Sequence, residues 1–234
     1  MARIVSAPPG QPIIFITGTD TGVGKTLLTA LLLQHLRNNG CHALAMKPFC
    51  SGGRDDARLL HAVQDGGLTL DEINPFFFDE PLAPLVAARA HRMSIRMEEV
   101  LRRISHAAIR CTRLLIEGSG GLLVPLGDGY TVADLIAKLN CEVMVVSPNR
   151  LGTLNHTILT TRALQHIGIS RLKVVMMAQG QPDPSSDSNP LILAELLGRV
   201  PVLTLDFLGA DACQLAALKK VQKKVEKSLA EILA

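Results

Sequence analysis

An α/β chain with a doubly wound, mostly parallel sheet is what this sequence of 234 residues predicts, on three observations. Short apolar runs bounded by turn residues alternate with longer helical patterns, the signature of strands joined by crossover helices. With 47% hydrophobic residues the chain can bury a full core, most simply as one domain over residues 1–234. A strand, a glycine-bearing turn and a helix stand together at residues 12–34, and the rest of the chain is organised around them.

That stretch begins with the apolar run Ile13 to Ile16, a buried strand. Gly18-Thr-Asp-Thr-Gly-Val-Gly-Lys-Thr26 follows, and an amphipathic helix opens near Gly24. Strand, turn and helix of this kind cradle phosphate: backbone N–H groups face inward and the helix N-terminus adds partial positive charge. Lys25 then reaches the outer phosphates and Thr26 can ligate Mg²⁺. The fold type is therefore that of a P-loop NTPase, with a nucleoside triphosphate as the expected ligand. A strict phosphate-loop pattern places glycine where Thr19 stands; here it is Gly18, so the loop is one residue longer.

Further along, Asn38-Asn-Gly40 ends the first helix and Cys41 to Met46 reads as strand two. Lys47 to Gly53 reads as a loop, and Lys47 points to the same crevice as the phosphate loop, because ligands gather at the carboxyl ends of parallel strands. Asp55-Asp56 opens a helix to Gln64; the pair reads equally as N-cap carboxylates or as a metal ligand. Asn74 to Pro84 reads as a connecting loop, with Phe76, Phe77 and Phe78 as core plugs. Helices are expected over Leu85 to His91 and Met97 to Arg110. Thr112 to Gly121 is a buried strand closed by Glu117 and glycines, the place of a Mg²⁺ carboxylate.

The second half repeats the alternation. Thr131 to Leu139 is a helix and Glu142 to Ser147 a strand. A polar turn from Pro148 to His156 leads into a helix to Ile167. Gly152, Thr153 and Asn155 at its start suit an anion such as a carboxylate, or plain capping. Lys173 to Ala178 is a strand, Gln179 to Pro190 a loop, Leu191 to Leu197 a helix, Val200 to Leu205 a short strand, and Leu215 to Leu233 a lysine-bearing terminal helix.

Several function classes drop out. Net charge is +3 and aromatics total 3%, with no basic stripe, so no nucleic-acid partner is expected. No apolar run spans a bilayer, and Met1 to Gln11 lacks the apolar core of a signal peptide. Five cysteines without a CxxC suit reduced thiols in a cytoplasm. Cys50 reads as a bystander, having no adjacent histidine to activate it. Gly118-Ser-Gly lacks the spacing of a serine nucleophile elbow.

Taken together, Gly18 to Thr26, Lys47-Pro-x-x-Ser-Gly52, Asp56-Ala57, Glu117-Gly-Ser-Gly-Gly-Leu122 and Asn149 to His156 resemble the dethiobiotin synthetase family in order and spacing, over residues 12–205. The resemblance implies a cyclo-ligase of biotin synthesis. It would use ATP and Mg²⁺ to join CO₂ to 7,8-diaminopelargonic acid, through a carbamate and a carbamic-phosphoric anhydride. By the same resemblance, Thr19, Asp20, Gly22, Val23, Gly24, Lys25 and Thr26 hold the nucleotide, while Thr26, Asp56 and Glu117 surround Mg²⁺. Lys47 bridges carbamate and γ-phosphate, and with Lys25 and Thr21 it forms the catalytic set. Thr21, Ser51 and Gly120 line the diamine site. A homodimer is implied, with Gly152, Thr153 and Asn155 holding the substrate carboxylate across the interface. Pro201 and Val202 belong to a segment that closes over the base.

In one place the sequence departs from that family. An asparagine that reads the adenine edge is missing from Met176-Met-Ala-Gln-Gly180, and Gln179 stands one residue later. Weak discrimination of ATP from GTP or CTP is therefore expected. The competing function is a partner-stimulated switch ATPase of the same superfamily. Such proteins carry a lysine near the loop start, where this chain has Asp20. A cobyrinic acid-type amide ligase is a further relative, but it normally carries a glutamine-hydrolysing domain for which 234 residues leave no room.

Overall fold

The first strand, β1 (Ile13–Gly18), is buried along its whole length, as a strand covered on both faces must be. In chain order there follow α1 (Lys25–Asn38), β2 (Ala43–Met46), β3 (Phe49–Ser51), α2 (Asp55–Gln64), α3 (Leu70–Ile73), β4 (Phe76–Phe78), α4 (Pro84–Ala90) and α5 (Met97–Ala108). Then come β5 (Arg113–Glu117), β6 (Pro125–Gly127), β7 (Tyr130–Thr131), α6 (Val132–Lys138), β8 (Cys141–Pro148) and α7 (Thr153–His166). The chain finishes with β9 (Leu172–Met177), α8 (Asn189–Leu197), β10 (Val202–Leu205) and α9 (Leu215–Leu233). This computed structural model describes residues 13–234; Pro12 and the segment Met1 to Gln11, read above as no signal peptide, lie outside the described residues.

Six parallel strands form the main sheet in the order β10-β9-β8-β1-β5-β2, with helices on both faces. The chain runs outward from β1 to β2, returns to β5, and then crosses β1 to build β8, β9 and β10 on the other side. That reversal puts a crevice at the carboxyl ends of β1 and β5, where open α/β sheets bind ligands. α1 packs against both α2 and α9, and α7 packs against α8. Among the described residues no helix is long and apolar enough to cross a membrane.

The free side of edge strand β2 is covered by a side chain. Gln64, the last residue of α2 and fully buried, accepts from Ala45 N and donates to Ala45 O, each at 3.1 Å. One amide therefore satisfies two backbone groups that the sheet leaves unpaired.

Two segments read as loops are partly strand. Lys47 to Gly53 contains β3 and Asn74 to Pro84 contains β4, and the two pair in parallel with Phe49 opposite Phe76. Their rings stack at 4.9 Å between centroids. Phe76 and Phe78 are buried, whereas Phe77 is partly exposed and carries the Arg54 guanidinium 5.1 Å from its ring centre. Three-residue strands give too short a period to stand out from a loop. The small hairpin β6–β7 and the single turn of α3, closed by a Thr69–Glu72 capping box, were likewise too short to stand out.

Candidate active site

The phosphate loop links the end of β1 to α1. Gly22 and Gly24 have φ of 72° and 102°, left-handed values that glycine adopts without strain. Gly24 is also a close approach, since a Cβ there would stand 3.1 Å from the Met177 side chain. Val23 is buried, so it anchors the loop and can offer ligand only its backbone. Thr19 N donates to Val146 O at 3.0 Å, and that amide is therefore spent on the sheet rather than free for phosphate. Asp20 Oδ1 accepts from Thr21 N at 2.7 Å, while Asp20 O accepts from Lys25 Nζ at 2.7 Å. Burial lowers the Lys25 pKa to about 8, with Lys47 adding repulsion and Glu117 and Asp56 opposing the shift.

Beside the loop, four predicted residues meet in one cluster. Glu117, the last residue of β5, is fully buried; its Oε1 accepts from Thr26 Oγ1 at 2.7 Å and Lys47 Nζ at 2.5 Å. Lys47, just past β2, also pairs with Asp56 Oδ2. Burial by itself would lower the Lys47 pKa, but the two carboxylates raise it above the ordinary lysine value, so the side chain is an ammonium. Asp56 is the second residue of α2 and Asp55 the first, so neither is the N-cap, which is Arg54. Asp55 pairs instead with exposed Arg58.

The cluster suits Mg²⁺. Glu117 Oε2 is buried with no hydrogen-bond partner, and with Asp56 and the Thr26 hydroxyl it offers hard oxygen ligands. Among the described residues no three His, Cys, Asp or Glu gather as a metal group, so phosphate and water oxygens would supply the remaining ligands.

Lys47 also walls a cavity of about 390 Å³ that Thr21, Ser51, Asp56 and Gly120 line. Ser51 Oγ is buried there without a partner. Sequence reasoning missed the opposite wall, Pro81 to Pro84, which carries no motif. It also missed Ser119, whose Oγ donates to Phe49 O at 2.7 Å and ties the Glu117 loop to β3. Cys50 lines the cavity too, but burial pushes its thiol to about 12, so it carries no thiolate.

Other expected residues lie apart from this cavity. Gly152 and Asn155 are exposed at the start of α7, whereas Thr153 is turned inward. Thr153 N donates to Arg150 O at 3.1 Å, and its buried hydroxyl lies 3.4 Å from that of Thr157, where either can donate. Pro201 and Val202 stand at the start of β10. Pro201 O accepts from Val174 N at 2.9 Å and Val202 lies in register with Val174, which is level with Val145 and Thr17. They enter the ladder below the phosphate loop, and the chain clears the sheet edge only after Leu205. Gln179 does stand at that edge, with its Nε2 donating to Met177 O at 2.8 Å.

A six-stranded parallel sheet with this loop at its switch point, and two carboxylates and two lysines beside it, defines a P-loop NTPase. Residues 13–205 match the family profile described as an AAA domain. The chain is 42% identical over 197 residues to the ATP-dependent dethiobiotin synthetase of Anaeromyxobacter sp. (strain Fw109-5), covering 82% of this chain and 88% of that protein. It is 34% identical over 221 residues to the enzyme of the same name from Bacillus subtilis (strain 168), covering 92% and 95%. The chain belongs to the dethiobiotin synthetase family. In fold it is also like a ParA family ATPase from Chlorobium tepidum TLS, at a TM-score of 0.59 and 16% identity over 96% of this chain and 98% of that one.

Proposed function

We propose that the protein is a Mg²⁺- and ATP-dependent dethiobiotin synthetase that joins CO₂ to 7,8-diaminopelargonic acid and releases ADP and phosphate. The observation that carries this reading is Lys47, an ammonium shared between the carboxylate cluster and the cavity lined by Thr21, Ser51 and Gly120. One amine of the substrate adds to CO₂, losing a proton, and gives a carbamate. The carbamate oxygen attacks the γ-phosphorus and ADP leaves. The second amine then attacks the carbonyl carbon of the mixed anhydride, phosphate leaves, and the cyclic urea closes.

Each residue has a part in that sequence. Lys47 holds carbamate and γ-phosphate together, because two anions must be aligned and neutralised before they react. Lys25 leaves the Asp20 carbonyl for the β- and γ-phosphates, aided by the amides of Gly22 to Thr26. Thr26, Asp56 and Glu117 would hold Mg²⁺, which would supply charge neutralisation at the phosphates. Thr21, Ser51 and the Gly120 backbone position the diamine. The reading carries with it a cytoplasmic homodimer in which Gly152 and Asn155 meet the substrate carboxylate of the facing subunit.

The test is ADP release with ATP, Mg²⁺ and bicarbonate, with and without the diamine, with the product weighed by mass spectrometry. Diamine-dependent release and a product in which one carbonyl has replaced two N–H hydrogens of the diamine are expected. Release indifferent to the diamine but stimulated by a protein partner would support instead a switch ATPase, the second reading, whose fold the ParA family structure shares.

A further inference from the structure

Gln179 is poorly placed to read a base, because its amide nitrogen is turned back onto the Met177 carbonyl. Beside it stands an aromatic ring. Of the six phenylalanines in the chain, Phe207 is the exposed one, at 51%, two residues beyond the end of β10. Lone exposed apolar side chains are ordinary. The position of this one is not. A Cβ at Gly180 would stand 2.9 Å from Phe207 Cζ, so the ring tip rests where Gly180 has no side chain. Gly180 itself lies just past β9, whose last residue, Met177, closes against Gly24 of the phosphate loop.

Gly24, Met177, Gly180 and Phe207 thus form a line from the loop across the carboxyl ends of β9 and β10. On the opposite side of the loop, the ends of β5 and β2 are taken up by Glu117, Lys47 and Asp56. A triphosphate whose terminal phosphate meets those groups must extend its nucleoside the other way, toward Phe207.

We propose that Phe207 is the platform on which the nucleobase stacks, and that the site selects no particular base. The inference rests on the ATP site of the proposed function. A phenyl ring has no donor or acceptor with which to tell base edges apart, and every base has a π-face, so stacking adds affinity without choice. ATP, GTP and CTP then bind within one order of magnitude of each other.

Calorimetric titration of the full chain with the Mg²⁺ complexes of ATP, GTP, CTP and inorganic tripolyphosphate tests this. Phe207→Ala is expected to weaken all three nucleotides by about tenfold, or about 1.4 kcal/mol, and to leave tripolyphosphate unchanged. Phe207→Trp restores the nucleotides. Wild-type binding by Phe207→Ala, loss of a single nucleotide, or a parallel loss of tripolyphosphate overturns the platform. So does a wild type that strongly prefers one base or binds nucleotides no tighter than tripolyphosphate. A wild type that binds none of the four overturns the ATP-site reading itself.

Discussion

Lys47 carries the sharpest expectation among single residues. In Lys47→Gln the neutral amide cannot hold two anions together, so kcat should fall by about 10²–10³-fold while ATP affinity stays near wild type. Turnover close to wild type would remove Lys47 from the chemistry. Lys25 carries a pH expectation. Its folded pKa, about 8, lies below the ordinary lysine value of 10.5, so the buried ammonium weighs against folding below pH 8. That cost is relieved as pH rises through about 8 toward the unfolded value. Phosphates favour the charged form, so nucleotide binding should take up a proton above pH 8 and none near pH 6.5. Titrations in buffers of different ionisation enthalpy read this directly, and Lys25→Arg should abolish the uptake. Unchanged proton counts across that range would show that Lys25 does not meet phosphate. At this scale the sequence was informative where the chemistry is carried by motifs: Lys25, Thr26, Lys47, Asp56 and Glu117 converge from four separated segments. It did not disclose that Thr153 turns inward or that Pro201 and Val202 join the β9–β10 ladder, because inward rotation and strand register are set by tertiary packing and leave no local mark.

Among elements, α2 has two duties. Its first turn presents Asp56 to Lys47, and its last residue, Gln64, seals Ala45 of β2. Gln64→Ala leaves a buried N–H and C=O without partners, a cost on the order of 3 kcal/mol. A melting temperature lower by roughly 6–12 °C is expected for a chain of this size. A shift under about 2 °C would mean that water replaces the amide. The long strands and helices of the main sheet were legible because their apolar periods run for several residues between glycine and proline signals. β3 and β4, at three residues each, were not, although their pairing brings Ser51 and Cys50 to the cavity wall.

For the whole molecule, the six-stranded order puts β1 next to β5 and so sets the phosphate loop beside Glu117. The crossing of β1 between β5 and β8 divides the carboxyl edge into two territories. In the proposed function, phosphate and diamine chemistry fall on one side of the loop and the nucleoside on the other. Mg²⁺-ADP should therefore stabilise the protein alone, by about 2.7 kcal/mol at a hundredfold excess over Kd. The diamine should add to the thermal shift in the presence of nucleotide. A diamine shift with no contribution from nucleotide would contradict this division. The doubly wound fold was readable from the alternation of elements alone, whereas the strand order was not, since nothing local tells the chain on which side of β1 the next strand falls.

The Gln64 clamp has one more consequence. An exposed strand margin is a template on which another chain can lay a strand of its own, and proteins guard such margins. By occupying Ala45, the glutamine shields the β2 side of the sheet from that association. The Gln64→Ala variant should then show its damage in the cell as self-assembly and loss of solubility, before any loss of turnover in the protein that remains dispersed.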